Sequence, residues 1–186
     1  MAMERSELAA AIYRTSHLRG EFRLRSGALS DEYFDKYRFE SDPQLLRAIA
    51  AALLGLMPAN AQVVAGLELG GVPLATMLSQ LAGLPTRFVR KAAKPYGTCR
   101  LAEGGDISGR NLVLVEDVVT SGGQLIESAM ALRSLGGEVS DALCVIDREA
   151  GGAALLASAG IALHSLFRMT ELKEAPGARS RLDPEV

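Results

Sequence analysis

Two adjacent carboxylates, Glu116 and Asp117, stand three residues ahead of a hydroxyl- and glycine-bearing turn, Thr120-Ser121-Gly122-Gly123. Four apolar residues, Leu112 to Val115, lead into the acids, and a helical pattern follows the turn from Gln124. A continuous apolar run of this kind suits a strand buried on both faces of a parallel sheet. The acids then lie at the strand's carboxyl end, where open α/β sheets bind ligands. The turn offers backbone N–H groups and hydroxyls at a helix N-terminus, which suits a phosphate. Two carboxylates repel a phosphate but accept hydrogen bonds from a vicinal diol. Acids beside a phosphate cradle therefore fit a ribose 5-phosphate, with the diol on Glu116 and Asp117 and the phosphate in the turn.

The stretch Glu116-Asp117-Val118-Val119-Thr120-Ser121-Gly122-Gly123-Gln124 resembles the phosphoribosyl-pyrophosphate (PRPP) signature of the type I phosphoribosyltransferases. A bland alternative is an ordinary strand-to-helix turn, but such a turn does not require paired acids.

The elements that must position these residues alternate along the chain. Residues 4–18 read as a helix with Leu8 and Ile12 on one face. Phe22 to Gly27 and Tyr33 to Tyr37 read as short strands joined by a turn over Gly27–Asp31. Asp42-Pro43 opens a helix, with Asp42 as N-cap and Pro43 where its missing N–H costs nothing. Strand signals recur at 63–65, 86–90, 112–116, 139–146 and 161–167, and helix signals at 73–81, 124–135 and 151–158. That rhythm predicts βαβ units and a parallel sheet covered on both faces. A single α/β domain over 1–186 is expected, with a small N-terminal hood (1–40), a core (41–172) and a flexible polar tail (173–186).

One stretch, from Arg90 to Asn111, carries no periodic pattern. It holds Arg90, Lys91, Lys94 and Arg100, with Gly97, Gly104 and Gly105. A cationic loop with glycine hinges suits a lid that closes over an anion. The commoner fate of such a charge run is a solvated loop.

Further blocks narrow the resemblance to the orotate phosphoribosyltransferases. Arg90-Lys-Ala-Ala-Lys-Pro-Tyr-Gly is similar to their catalytic loop, and Phe22-Arg-Leu-Arg-Ser-Gly with Tyr33-Phe34 to their orotate hood. Gly66-Leu-Glu-Leu-Gly-Gly resembles their pyrophosphate loop, and Cys144-Val-Ile-Asp-Arg-Glu the strand end that presents an arginine to orotate. The blocks keep the family's order over residues 20 to 150. Three positions depart from it. Tyr96 stands where many members have a histidine, Leu69-Gly70 replaces an aromatic–lysine pair, and Arg25 replaces a lysine near the hood. The missing lysine shifts diphosphate binding toward metal and lid. The glycines of 66–71 are expected to let backbone amides approach an anion.

The resemblance implies transfer of the 5-phosphoribosyl group from PRPP to orotate, with Mg2+ held mainly by substrate and water. Glu116 and Asp117 would stand in its second shell. Catalysis would rest on Lys94, Arg90, Lys91 and Asp117. PRPP would meet Arg90, Lys91, Lys94, Tyr96 and residues 116–124. Orotate would meet Thr120, Arg148, Phe34 and Arg25. It further implies a homodimer sharing the 90–106 loop.

Two other readings stand beside this one: a purine-type transferase of the same fold, and a PRPP-binding regulator without activity. A purine needs no carboxylate fork such as Arg148 supplies. A formal net charge of −2 gives no broad field for nucleic acid. No apolar run reaches transmembrane length, and the start of the chain is unlike a signal peptide. Cys99 and Cys144 show no metal-ligand spacing, which points to a reducing cytoplasm. There is no G-x-x-x-x-G-K-[ST] phosphate loop.

Overall fold

A computed structural model of the protein describes residues 3–23, 27–92 and 101–178. Its centre is a six-stranded sheet in the order β5-β4-β3-β6-β7-β8. The strands are β3 (Val63–Leu67), β4 (Thr86–Val89), β5 (Ala102–Glu103), β6 (Asn111–Val119), β7 (Glu138–Asp147) and β8 (Ala162–Arg168). All neighbours pair in parallel except β4 and β5. The chain first builds outward from β3 to β4 and β5, then returns to lay β6 on the other side of β3. The strand order thus reverses between β3 and β6, and a doubly wound sheet opens a ligand crevice at the carboxyl ends of such a pair.

Helices cover both faces, as the alternating pattern predicts. On one side lie α1 (Arg5–Ser16), α3 (Pro43–Leu54), α4 (Gly71–Ala82) and α7 (Met169–Glu174). They pack Leu8, Ile12, Ile49, Leu53, Leu74 and Leu78 against Val64, Val113, Val115 and Phe167. On the other side α5 (Gly123–Ser134) and α6 (Gly152–Ser158) pack Leu125, Leu132 and Leu156 against Val63, Ala65, Leu112 and Leu114. Full burial of each such side chain stabilises the fold by about 1.5–3 kcal/mol. Asp42 accepts hydrogen bonds from the N–H groups of Gln44 and Leu45, so the cap at the start of α3 forms as expected.

The hood is a two-stranded antiparallel ribbon, β1 (His17–Arg23) with β2 (Leu29–Phe34), followed by α2 (Lys36–Ser41). Here the structure departs from the strand expected over 33–37. Asp35 accepts from the Tyr37 N–H and starts a helix, which seats Phe39 fully in the core. The aperiodic stretch after Arg90 also contains a pairing not foreseen. Phe88 faces Glu103 and Val89 faces Ala102, and the Arg90 N–H donates to the Leu101 carbonyl. The loop therefore springs from a closed antiparallel base. Residues 93–100, with Lys94, Tyr96 and Arg100, lie outside the described residues, as does Arg25.

Residues 173–178 are docked where a frayed tail is expected. Leu172 and Ala178 are buried, Arg5 pairs with Glu171 at 2.9 Å, and Arg14 donates to the Gly177 carbonyl. These ties fasten α7 to α1. No helix among the described residues is long and apolar enough to cross a membrane.

The crossing of β3, α4 and β6 depends on glycine. A Cβ on Gly71 would lie 2.1 Å from the Val115 carbonyl oxygen, a contact that only backbone movement could relieve. Gly71→Ala is therefore expected to lower stability by about 1–3 kcal/mol, read by urea unfolding. Gly55→Ala, whose Cβ would meet only an ordinary contact, should stay within about 0.5 kcal/mol of wild type. Equal effects would contradict this packing.

Candidate active site at the β3–β6 switch point

Two cavities open at the carboxyl ends of the central strands, the smaller between β3 and β6 and the larger beside β6 and β7. The smaller, about 320 Å³, is walled by Glu116 and by Val118 to Gln124, with Glu68, Leu69, Lys91, Lys36 and Tyr37 at its other side. The larger, about 520 Å³, lies under the hood. Phe34, Thr120 and Arg148 line it together with Tyr13, His17, Glu32, Tyr33 and Lys173. Lys36, Val118 and Thr120 belong to both walls and mark where the cavities meet.

The floor of the smaller cavity is the turn into α5. Gly122 adopts φ +78° and caps the helix with no side-chain hydrogen bond, leaving the first-turn N–H groups without a protein cap. A Cβ at Gly122 would press on Leu156 of α6, and one at Gly152 would lie 2.6 Å from the Thr120 carbonyl oxygen. The bend is thus wedged against α6. Uncapped N–H groups at a twelve-residue helix, with two exposed hydroxyls alongside, make an anion site.

The two carboxylates part company. β6 runs on through Val119, so both acids lie within the strand rather than beyond it. Successive side chains of a strand point to opposite faces. Val113 and Val115 face α3 and α4, and Asp117 continues that side. Glu116 lines the smaller cavity, whereas Asp117 is 0% exposed and lines neither. The expected pair facing one diol is therefore, in this structure, one acid at the wall and one behind it.

Asp117 is held from several directions. Its Oδ2 lies 2.5 Å from Lys36 Nζ, and its Oδ1 accepts from the Val118 N–H. Burial disfavours its charge, but hydrogen bonds from Glu116, Glu40 and Lys36 outweigh this and keep its pKa below the ordinary value. Glu40 and Glu116 are pushed up to about 9, first by burial and then by the neighbouring Asp117. Burial also opposes the charge on Lys36, yet contact with Asp117 raises its pKa. Burial and the charge of Asp117 thus favour protonation of Glu40 and Glu116 beside the Lys36–Asp117 pair. Gly70 makes room for it: a Cβ there would lie 1.7 Å from Asp117 Oδ2. Of the glycines after β3, Gly70 serves this close approach.

The remaining expected residues are placed as follows. Lys91 lines the smaller cavity, and its N–H donates to Glu68 at 2.6 Å. Arg90 lines neither cavity, with its backbone at the base of the β4–β5 pairing. Arg148 stands exposed at the end of β7 in the wall of the larger cavity. Its acidic neighbours are otherwise engaged. Asp147 accepts from the Glu149 N–H and Glu149 from the Thr170 N–H, and among the described residues the Arg148 guanidinium has no ion pair. Lys36 and Glu40 were missed by sequence reasoning. The signal available was Asp35 as an N-cap two residues before Tyr37, which would have placed both on one helix.

The chain matches the phosphoribosyl transferase domain model over residues 39–159. An orotate phosphoribosyltransferase of Nocardioides sp. is 49% identical over 168 residues, 90% of this chain and 94% of that protein. The chain belongs to the orotate phosphoribosyltransferase family. The Mycobacterium tuberculosis orotate phosphoribosyltransferase, crystallised with Fe(III) dicitrate, superposes with a TM-score of 0.82 at 33% identity, covering 90% of this chain and 98% of that one. Its complex with 5-phospho-α-D-ribosyl 1-diphosphate superposes with a TM-score of 0.78 at 30% identity, over 91% and 98% of the two chains. The type I phosphoribosyltransferase fold expected from the sequence is the one observed.

The acid cluster sets a pH dependence. Glu40 and Glu116 keep their protons when folded up to about pH 9 but ionise near 4.5 when unfolded. Their contribution to stability is full below that lower value and is lost as pH rises toward 9, at no more than about 1.4 kcal/mol per pH unit for each group. Glu40→Gln keeps a neutral side chain there at every pH. Its unfolding free energy should fall less steeply than that of wild type between about pH 5 and 9. Parallel slopes in urea titrations would contradict the assignment.

Proposed function

We propose that the protein transfers the 5-phosphoribosyl group of PRPP to orotate, giving orotidine 5′-phosphate and pyrophosphate, in pyrimidine biosynthesis in the cytoplasm. The observation that carries this reading is the pair of adjoining cavities. One has an anion cradle at a helix N-terminus without a side-chain cap, and the other has an arginine fork with no ion pair among the described residues. A purine site would have no use for that fork.

In this reading the 5-phosphate rests on the N–H groups and hydroxyls of Thr120 to Gly123. Glu116 meets the ribose hydroxyls from the cavity wall, and Asp117 fixes it from behind. The bend sets the anomeric carbon where the cavities join, facing the orotate ring nitrogen. Bond breaking builds cationic character on the ribose and negative charge on the departing diphosphate. The protein's part is positioning and electrostatic stabilisation, with no covalent nucleophile. Lys94, helped by Arg90 and Lys91, stabilises the leaving diphosphate from the loop, with Tyr96 beside it. Arg148 grips the orotate carboxylate in a bidentate fork, and Phe34 and Arg25 of the hood cover the ring.

The described residues contain no group of three acidic, histidine or cysteine side chains able to cage a metal. They fit an ion carried in by the substrate, with Glu116 at the wall and Asp117 behind it as outer partners. Mg2+ bound this way would neutralise diphosphate charge. A homodimer in which the 90–106 loop reaches the neighbouring subunit's site completes the reading.

Orotate consumption, followed in the ultraviolet with PRPP and Mg2+, tests this directly. Turnover of adenine, hypoxanthine or uracil in place of orotate would overturn it. Lys94→Ala should lower kcat by about two to three orders of magnitude with a much smaller change in PRPP affinity; near-normal turnover would remove Lys94 from the chemistry. Arg148→Lys should weaken orotate binding chiefly, and a loss confined to PRPP would contradict its role. Mixed dimers of Lys94 and Asp117 variants should regain activity once subunits exchange. Their silence would count against a shared loop.

A further inference from the structure

Lys36 begins α2, and its position is set by the Asp35 cap. Its side chain is 33% exposed, while its partner Asp117 is completely covered. The Lys36 side chain therefore spans from the buried acid cluster to the open site, and Lys36 lines both cavities.

The smaller cavity has two ends. At one, Thr120 to Gln124 form the cradle for a terminal phosphate. At the other stand Lys36, Tyr37, Glu68, Leu69 and Lys91. A PRPP molecule with its 5-phosphate in the cradle directs its diphosphate to this second end. The loop after β3 brings no cation there. Leu69 is apolar and 65% exposed, and residue 70 has no space for a side chain of any kind beside Asp117 Oδ2. Among the described residues lining this cavity, the cations are Lys36 and Lys91.

We propose that Lys36 supplies the cation that the β3 loop lacks, moving its ammonium from Asp117 to an oxygen of the departing diphosphate. This deepens the phosphoribosyl-transfer reading and rests on it. A lysine suits the task because its charge rides on a flexible four-carbon stem. Asp117 Oδ1 keeps its hydrogen bond from the Val118 N–H after the move, and the lysine's positive charge stays at the adjoining cavity wall, whereas truncation removes that charge altogether. A purely structural role would be to neutralise Asp117. That role leaves unexplained why Lys36 lines an open cavity.

The test measures Mg2+–pyrophosphate and ribose 5-phosphate separately, by calorimetry on the full chain. Lys36→Met alone leaves a buried carboxylate without its cation and can fail to fold. The decisive comparison is therefore Lys36→Met/Asp117→Asn against Asp117→Asn. The double variant should bind pyrophosphate about tenfold or more weakly than its parent and ribose 5-phosphate within about twofold. Lys36→Arg should retain most of the pyrophosphate affinity. Unchanged pyrophosphate binding in the double variant, or equal loss of both probes, would overturn the proposal. A wild-type protein that binds ribose 5-phosphate but no pyrophosphate would also overturn it. Wild type that binds neither would overturn the underlying reading of the site.

Discussion

An ionised carboxylate sealed from water must be paired and hydrogen-bonded, because an isolated buried charge costs several kcal/mol. Asp117 imposes that requirement at the point where the strand order reverses. Satisfying it draws in Lys36 and Glu40 from α2, Glu116 from β6, and the side-chain-free Gly70 after β3. Those contacts fix the hood's exit helix against the sheet. They also set the distance between the loop after β3 and the bend after β6, which form the two ends of one cavity. The same cluster thus serves fold and site: it locks the crevice shut from behind and turns Glu116 and Lys36 toward its open side.

The two cavities divide the chemistry by charge. The bend at α5 is positive through backbone groups, which need no ionised side chain and so cost little to hold in place. The hood cavity is positive through Arg148, which has no ion pair among the described residues, while Asp147 and Glu149 accept from backbone N–H groups. Between them stand Lys36, Val118 and Thr120. An arrangement of fixed dipoles at one end and movable cations at the other suits a reaction in which one anion stays and another leaves.

Much of this was legible in the chain. The run from Leu112 to Gln124 carries strand, acids, bend and helix start in one contiguous stretch, so local rules suffice for it, and residues 116–124 other than Asp117 do line one cavity. Asp42-Pro43 announced α3 through capping chemistry. What escaped were short or non-local features. The six residues of α2 follow an alternating aromatic stretch that imitates a strand, and the two residues of β5 gain their pairing only from β4. The packing of α7 on α1 depends on tertiary contact, because Met169 to Glu174 look polar on their own. The split of Glu116 from Asp117 follows from strand alternation once β6 is known to continue past them. Ending the strand at Glu116 concealed it. The partnership of Lys36 with Asp117 joins distant segments and left no trace in local pattern.

The central claim is that the Thr120–Gly123 bend binds the 5-phosphate of PRPP while Glu116 meets its ribose hydroxyls. A crystal structure with PRPP bound tests this most directly. The account predicts phosphate density on the N–H groups opening α5, with Glu116 within hydrogen-bond reach of the sugar. Phosphate density on any other surface, with that bend empty and Glu116 turned from the sugar, would contradict it.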